Sequence, residues 1–307
     1  MSSDSPSKLD DRVTQEANLR ATRHARWLVV VAAIMWSTSG FFAKAPTFQD
    51  WPEESKGILL AFWRAAFACV VLVPMVRRPE WSWKLLPMAV SFVLMNITYL
   101  TAMVKGDPAN AIWMQNTAPV WVLFVGVFVF RESARGLDFL LVALCGAGVG
   151  VILYFEALDQ SLEAVLYGLA SGVFYAGVVL SLRQLRAVEA AWLVSVNHVT
   201  TAVVLAPYVV ATGVWPHDEQ WFYLAAFGIL QMGLPYLLFA RGLRRIPGHE
   251  AAGFSLLEPL LVPVWVYVAW HGAASYEPPS RWTLIGGGCI LVGLLLRYAV
   301  AARKTSA

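Results

Sequence analysis

Ten apolar runs, each about as long as a bilayer is thick, constrain this chain more than any other feature. They fall at 27–47, 58–76, 85–104, 109–130, 137–155, 163–182, 190–212, 221–241, 249–271 and 282–300, with short loops between them. A hydrocarbon core of ~30 Å takes about 20 residues of helix to cross. Barrel strands of ~10 alternating residues do not fit an unbroken run such as "FLLVALCGAGVGVIL". Of the 307 residues only 14% are charged and 58% are hydrophobic; a soluble domain would be roughly 25% charged. The expected fold is all-α and integral to the membrane, with ten transmembrane helices. The run after the polar segment 1–26 lacks an A-x-A cleavage pattern, so it is expected to be kept as the first span.

Orientation follows from the basic residues, which favour cytoplasmic loops. Alternate loops, beginning with the N-terminal segment, hold 18 of the 23 Lys and Arg residues; the opposite loops hold only Lys44, Lys56, Lys105 and Arg281, and Arg64 lies inside span 2. Both termini are therefore expected in the cytoplasm. Nine of the 14 tryptophans sit near span ends, where an amphipathic ring suits the headgroup region. Trp36, Trp63, Trp113, Trp121 and Trp265 lie deeper and are candidate apolar walls or plain packing residues. The cysteines Cys69, Cys145 and Cys289 fall inside apolar runs and suggest packing, with no disulfide framework or metal site.

Shifted by about 140 residues, the sequence partly matches itself. "AIWMQNTAP" lies over "AAGFSLLEP", which sets Pro119 on Pro259, and "AIMWSTSGFFAK" lies over "GVFYAGVVLSLR", which sets Trp36 on Tyr175. Five spans per half is an odd number, so the halves enter the membrane from opposite sides. The expected organisation is a cytoplasmic tail 1–26, a five-helix repeat 27–157, an inverted five-helix repeat 158–300 and a cytoplasmic tail 301–307. Inverted repeats let transporters build one site with two access routes. Each proline removes an amide and frees a carbonyl. In lipid that carbonyl must face protein or a wet cavity, so spans 4 and 9 are expected to be interrupted helices near a midplane site, or simply kinked ones.

Polar side chains sort the spans. Spans 5 and 10 have almost none and carry Gly146, Gly148, Gly150, Gly286, Gly287, Gly288 and Gly293, suited to packing or to the faces of a homo-oligomer. The other eight are expected to surround a hydrated cavity. Three ionisable residues lie inside spans, where a central charge costs at least ~2.5 kcal/mol. Glu258, before Pro259, could meet a substrate amine, carry a proton, cap the broken helix or pair with Arg64. Arg64 could hold a substrate carboxylate or snorkel outward. His198 could titrate near neutral pH or join two helices by a hydrogen bond.

The pattern resembles the EamA-type carriers of the drug/metabolite transporter superfamily. The residues that carry the likeness are "MWSTSGFFAK", "FWRAAFA" around Arg64, "APVWVLFVGVFVFRES" with Pro119, "PYLLFARGLRRIPGHEAAGFSLLEPLLVPV" with Glu258 and Pro259, and the glycine-rich span 10. One departure is Glu277, placed later than its counterpart Glu132 and followed by two prolines, so the second half's terminal loop is expected to differ. The resemblance implies a basket of ten helices with spans 5 and 10 peripheral. It also implies transport of small metabolites, often amino acids, across the bacterial inner membrane; within the family the chain looks most like bacterial amino-acid exporters, including those of aromatic amino acids.

Within that picture, Glu258 or nearby carbonyls face a substrate ammonium and Arg64 its carboxylate. Trp36, Trp113 or Tyr99 meet the side chain, and Gln115, Asn116 and Tyr175 add hydrogen bonds. Ser37, Asn96, Pro119, His198, Tyr236 and Pro259 complete the candidate substrate-binding set. The expected partners are a small amphipathic solute and membrane lipid, with no nucleic acid and no cofactor. No nucleotide-binding loop is present, so ATP is not the direct power source within this chain. A channel or a multidrug permease stays an alternative. An intramembrane enzyme is a weaker one, because no GxSG-like segment surrounds Ser255.

Overall fold

The computed structural model describes residues 6–133, 136–158, 162–246, 248–274 and 276–305. Among them every regular element is helical: α1 (Pro6–Trp36), α2 (Ser39–Ala43), α3 (Glu53–Leu72), α4 (Leu85–Lys105), α5 (Pro108–Gln115), α6 (Ala118–Phe128) and α7 (Gly136–Leu158). There follow α8 (Leu162–Gln184), α9 (Ala190–Thr212), α10 (Gln220–Ala226), a π-helical turn over Phe227–Gly233, α11 (Leu234–Gly242), α12 (Gly248–Ser255), α13 (Leu257–Trp270) and α14 (Arg281–Thr305). Nine stretches among the described residues are long and apolar enough to cross a membrane. The tenth predicted span falls on α14. The chain is thus an all-helical, multi-pass membrane protein.

The boundaries have local causes. Asp107 caps α5 by accepting from the Ala109 amide at 2.8 Å, and Pro108 begins the helix where its missing amide does no harm. Gly213 ends α9 at φ 66°, a left-handed conformation that glycine adopts without strain. The polar segment before the first span is itself helical from Pro6, in keeping with its Leu, Glu, Gln, Arg and Ala content. Arg135, one of the basic residues counted above, lies outside the described residues, as do the first five positions.

The packing pairs helices from the two halves. α4 lies along α8 and α1 along α11, while α3 lies on α9 and α7 on α14. Close approach depends on small residues. Gly57 of α3 faces the Thr101 backbone of α4, and Gly148 of α7 and Gly286 of α14 face each other's carbonyl oxygens. The glycine faces expected to serve packing or an oligomer are therefore at least partly occupied within the chain.

Polar contacts join loops at two ends of the bundle. At one end Arg26 pairs with Glu250 at 2.5 Å, Arg183 with Glu132 at 3.0 Å, and Arg297 with Asp138, while Glu189 accepts from the Arg77 and Arg78 amides. At the other, Lys105 pairs with Glu163 and His217 with Asp50, both at 2.8 Å, and Gln220 donates to Asp50 at 2.9 Å.

Candidate functional site

Four spans lose helical regularity in their middles, and what replaces it forms the site. In the fourth, α5 stops at Gln115 and α6 starts at Ala118, with Pro119 in its first turn. The Gln115 carbonyl, which would bond to an amide at position 119, instead lies beside Gly172 of α8, where a Cβ would stand 3.3 Å from it and only 2.7 Å from the Met114 carbonyl and the Thr117 hydroxyl. Asn116 turns its amide back onto the Ile112 carbonyl at 2.9 Å, and Thr117 bonds the Met114 carbonyl at 2.6 Å while accepting from the Trp121 indole. In the ninth, α12 and α13 meet at Leu256, just before Glu258 and the buried Pro259. Both interruptions expected from the prolines are present.

The first span breaks without a proline. α1 ends at Trp36, and the Ser37 and Thr38 hydroxyls bond the Ile34 and Met35 carbonyls at 2.6 and 2.7 Å. Hydroxyls that bond preceding carbonyls compete with the helical ladder. Gln231, within the π-helical turn of the eighth span, donates to the Trp36 carbonyl at 3.0 Å. The Trp265 indole of α13 donates to Ser37 Oγ at 2.8 Å, and Ser39 shares a 3.0 Å hydrogen bond with the Tyr99 hydroxyl of α4.

Arg64 stands at the centre. It is 2% exposed, which removes the snorkelling reading. Its guanidinium donates to Asn96 Oδ1 and lies 5.1 Å from the centre of the Phe227 ring. Asn96 is oriented in turn by donating to the Phe92 carbonyl at 3.0 Å. Glu258 lies within electrostatic reach of Arg64, Tyr99 and Tyr236 and is half-buried, and its side chain makes no hydrogen bond or ion pair among the described residues. His198 is buried; its Nδ1 meets the Val194 carbonyl at 2.8 Å, so that nitrogen carries the proton and Nε2 is a buried acceptor without a partner. The bond is within α9, so His198 joins two helices only through its ring, 4.9 Å from Phe92 and 5.9 Å from Tyr236. Trp36 closes the group, 5.1 Å from Tyr236.

Towards the end that holds His217 and Asp50, aromatic rings stack over this group. Phe42 lies on Phe227 at 5.1 Å and Phe41 on Trp270 at 5.1 Å, and the Trp270 indole donates to the Phe41 carbonyl at 2.9 Å. Among the described residues no three His, Cys, Asp or Glu side chains converge to hold a metal.

The sequence profile of the EamA-like transporter family matches residues 25–154 and, a second time, 162–299. The chain belongs to this family. An uncharacterised transporter of Archaeoglobus fulgidus is 23% identical over 285 residues, spanning 91% of this chain and 98% of its own. The uncharacterised transporter YwfM of Bacillus subtilis is 23% identical over 297 residues, spanning 91% and 95%. One crystal structure superposes with a TM-score of 0.63 at 19% identity, covering 91% of this chain and 98% of its own, which speaks for the fold. Membership makes the protein a membrane transporter of small molecules and not an enzyme.

Of the predicted site residues, the fold gathers Trp36, Ser37, Arg64, Asn96, Tyr99, His198, Tyr236 and Glu258. Gln115, Asn116, Pro119 and Pro259 form or flank the helix breaks. Trp113 is placed elsewhere, in a separate apolar cluster with Cys145 and Ile290, against Gly287 of α14. Tyr175 is 41% exposed, the only exposed member of the set. Sequence reasoning left Gln231, Phe227, Ser39 and Trp265 out of the set. The deep placement of Trp265 and the polar character of Gln231 were the available signals.

Proposed function

We propose that this transporter exports small amphipathic metabolites, amino acids including aromatic ones among them, by alternating access between two inverted five-helix halves. One observation carries the reading: a buried guanidinium and a carboxylate share an aromatic-walled interior without forming an ion pair with each other. Charges kept apart in a low-dielectric interior are costly unless something satisfies them. A zwitterion does so, with its carboxylate on Arg64 and its ammonium on Glu258, while Trp36, Tyr236 and Phe227 offer rings to its side chain.

Several features support the inverted arrangement. The family profile matches twice, and the helix contacts are preserved when the halves are exchanged: α4 on α8 corresponds to α11 on α1. Each cross-loop pair joins residues that the alternation of spans assigns to the same side, which supports the span order. The excess of Lys and Arg on the N-terminal side favours cytoplasmic termini. On this reading the His217 end is the outer face, and its stacked rings close the outer route to Arg64.

Export is tested in cells loaded with labelled phenylalanine. Cells producing the wild-type protein lose label faster than cells producing Arg64→Gln, and resist a toxic aromatic amino-acid analogue better. Equal efflux and equal resistance contradict the proposal. For topology, a cysteine placed at Ser280 in a chain whose three native cysteines are serine reacts with an impermeant maleimide in intact cells, and one placed at Ser82 does not. The reverse pattern overturns the orientation.

A further inference from the structure

A crevice of about 390 Å³ opens between α4 and α9, lined by Trp81, Ser82, Leu85, Ala89, Val196 and Thr200. Small-molecule sites span roughly 300–1,000 Å³. On α9 its walls are Val196 and Thr200, one turn or about 6 Å apart, and Thr200, the deeper of the two, lies about 15 Å from the start of that helix. It is distinct from the Arg64 group, none of whose members lines it.

The rim is a built structure. Glu189, at the start of α9, accepts from the Arg77 and Arg78 amides at 3.0 and 2.7 Å. The Trp192 indole donates to the Glu80 carbonyl at 2.8 Å, and its ring meets Trp81 edge-on at 4.9 Å. These bonds fix the loop between α3 and α4 and engage the Glu189 carboxylate on backbone. The side chains of Arg77, Arg78 and Lys84 are exposed and make no direct ion pair among the described residues, although the Glu189 carboxylate lies within electrostatic reach of Arg77 and Arg78. Glu80 and Glu189 are the acids of this rim, and they leave an excess of one positive charge before Arg186, in the loop between α8 and α9, is counted. Trp81 and Trp83 are 81% and 89% exposed, a state that suits indole rings at headgroup level.

We propose that this crevice binds an anionic phospholipid, one acyl chain lying between α4 and α9 and the phosphate held among Arg77, Arg78 and Lys84. Apolar walls alone would accept any lipid. Exposed cations in excess of the acids beside those walls select for a negative headgroup.

Native mass spectrometry of the full-length protein, exchanged into mixtures of phosphatidylglycerol and phosphatidylcholine, tests this. The wild type is expected to retain phosphatidylglycerol preferentially. Replacing Arg77, Arg78 and Lys84 together by Gln should weaken that binding about a hundredfold at low ionic strength, each basic residue near an anionic surface being worth roughly a factor of five. Thr200→Phe fills the crevice from α9 and should remove the same bound lipid with the charges intact; variants are compared only as monodisperse protein. Equal retention of the two lipids by the wild type overturns the proposal. So does a preference that survives either variant, since the anion then binds outside this crevice or without these cations.

Discussion

The side-chain amide of Gln231 donates to the Trp36 carbonyl at 3.0 Å, joining the π-helical turn of the eighth span to the end of α1. In an unbroken helix that carbonyl would accept from the amide four residues on; here the Ser37–Thr38 turn takes it out of the ladder. Gln231→Leu leaves it without this donor, in a place where lipid offers none. The expected loss is about 1–3 kcal/mol, read as a lower melting temperature of the detergent-purified protein. An unchanged melting temperature would show that the contact does not hold the break together.

Two glycines should respond in opposite ways to the same added methyl group. At Gly57 a Cβ would stand 2.6 Å from Thr101 Cα and Oγ1 and 2.8 Å from its amide, and backbone cannot move aside cheaply. Gly57→Ala is expected to cost about 1–3 kcal/mol. At Gly146 nothing lies within 4 Å, and Gly146→Ala should stabilise α7 by roughly 0.5–1 kcal/mol. Melting of the two variants beside the wild type checks both signs.

One contact between the halves should depend on pH. His217 lies in the loop between α9 and α10, with Asp50 at 2.8 Å, Asp218 at 3.2 Å and Gln220 bridging to Asp50. Hydrogen bonds from the imidazole to the carboxylates, Asp50 first, raise His217 above its ordinary 6.5, and His217 holds Asp50 below its ordinary 3.8. The histidine contribution is therefore complete below pH 6.5 and is lost as pH rises through the raised value. The aspartate contribution is present above pH 3.8 and is lost as pH falls through the lowered one. Between these limits the latch is strongest. The melting temperature of the wild type should fall from mildly acidic to mildly alkaline pH, and His217→Gln should flatten that slope. Parallel slopes would rule out this contact as the cause.

Much of the fold is legible in the sequence because lipid leaves few choices: a 20-residue apolar run must be helix. Pro119 and Pro259 make their breaks legible as well, since each removes an amide wherever it stands. The break at Ser37–Thr38 is not legible. Serine and threonine occur in unbroken membrane helices, and the groups that fix this turn, Gln231 and Trp265, come from spans more than 190 residues later. The same holds for Arg64, whose burial follows from Asn96 and Phe227 rather than from anything beside it in the chain. Trp113 shows the converse: its place just before the break in the fourth span suggests a site wall, while tertiary packing puts it against Gly287.

The most direct test of the account is uptake of a labelled amino-acid panel into proteoliposomes by the wild type, Arg64→Gln and Glu258→Gln. The account predicts saturable flux of a few amphipathic amino acids by the wild type and loss of that flux in Arg64→Gln. Glu258→Gln should bind and move the same substrates more weakly. No selective, saturable flux for any amino acid, or equal flux in all three proteins, would contradict a zwitterion site built on Arg64 and Glu258.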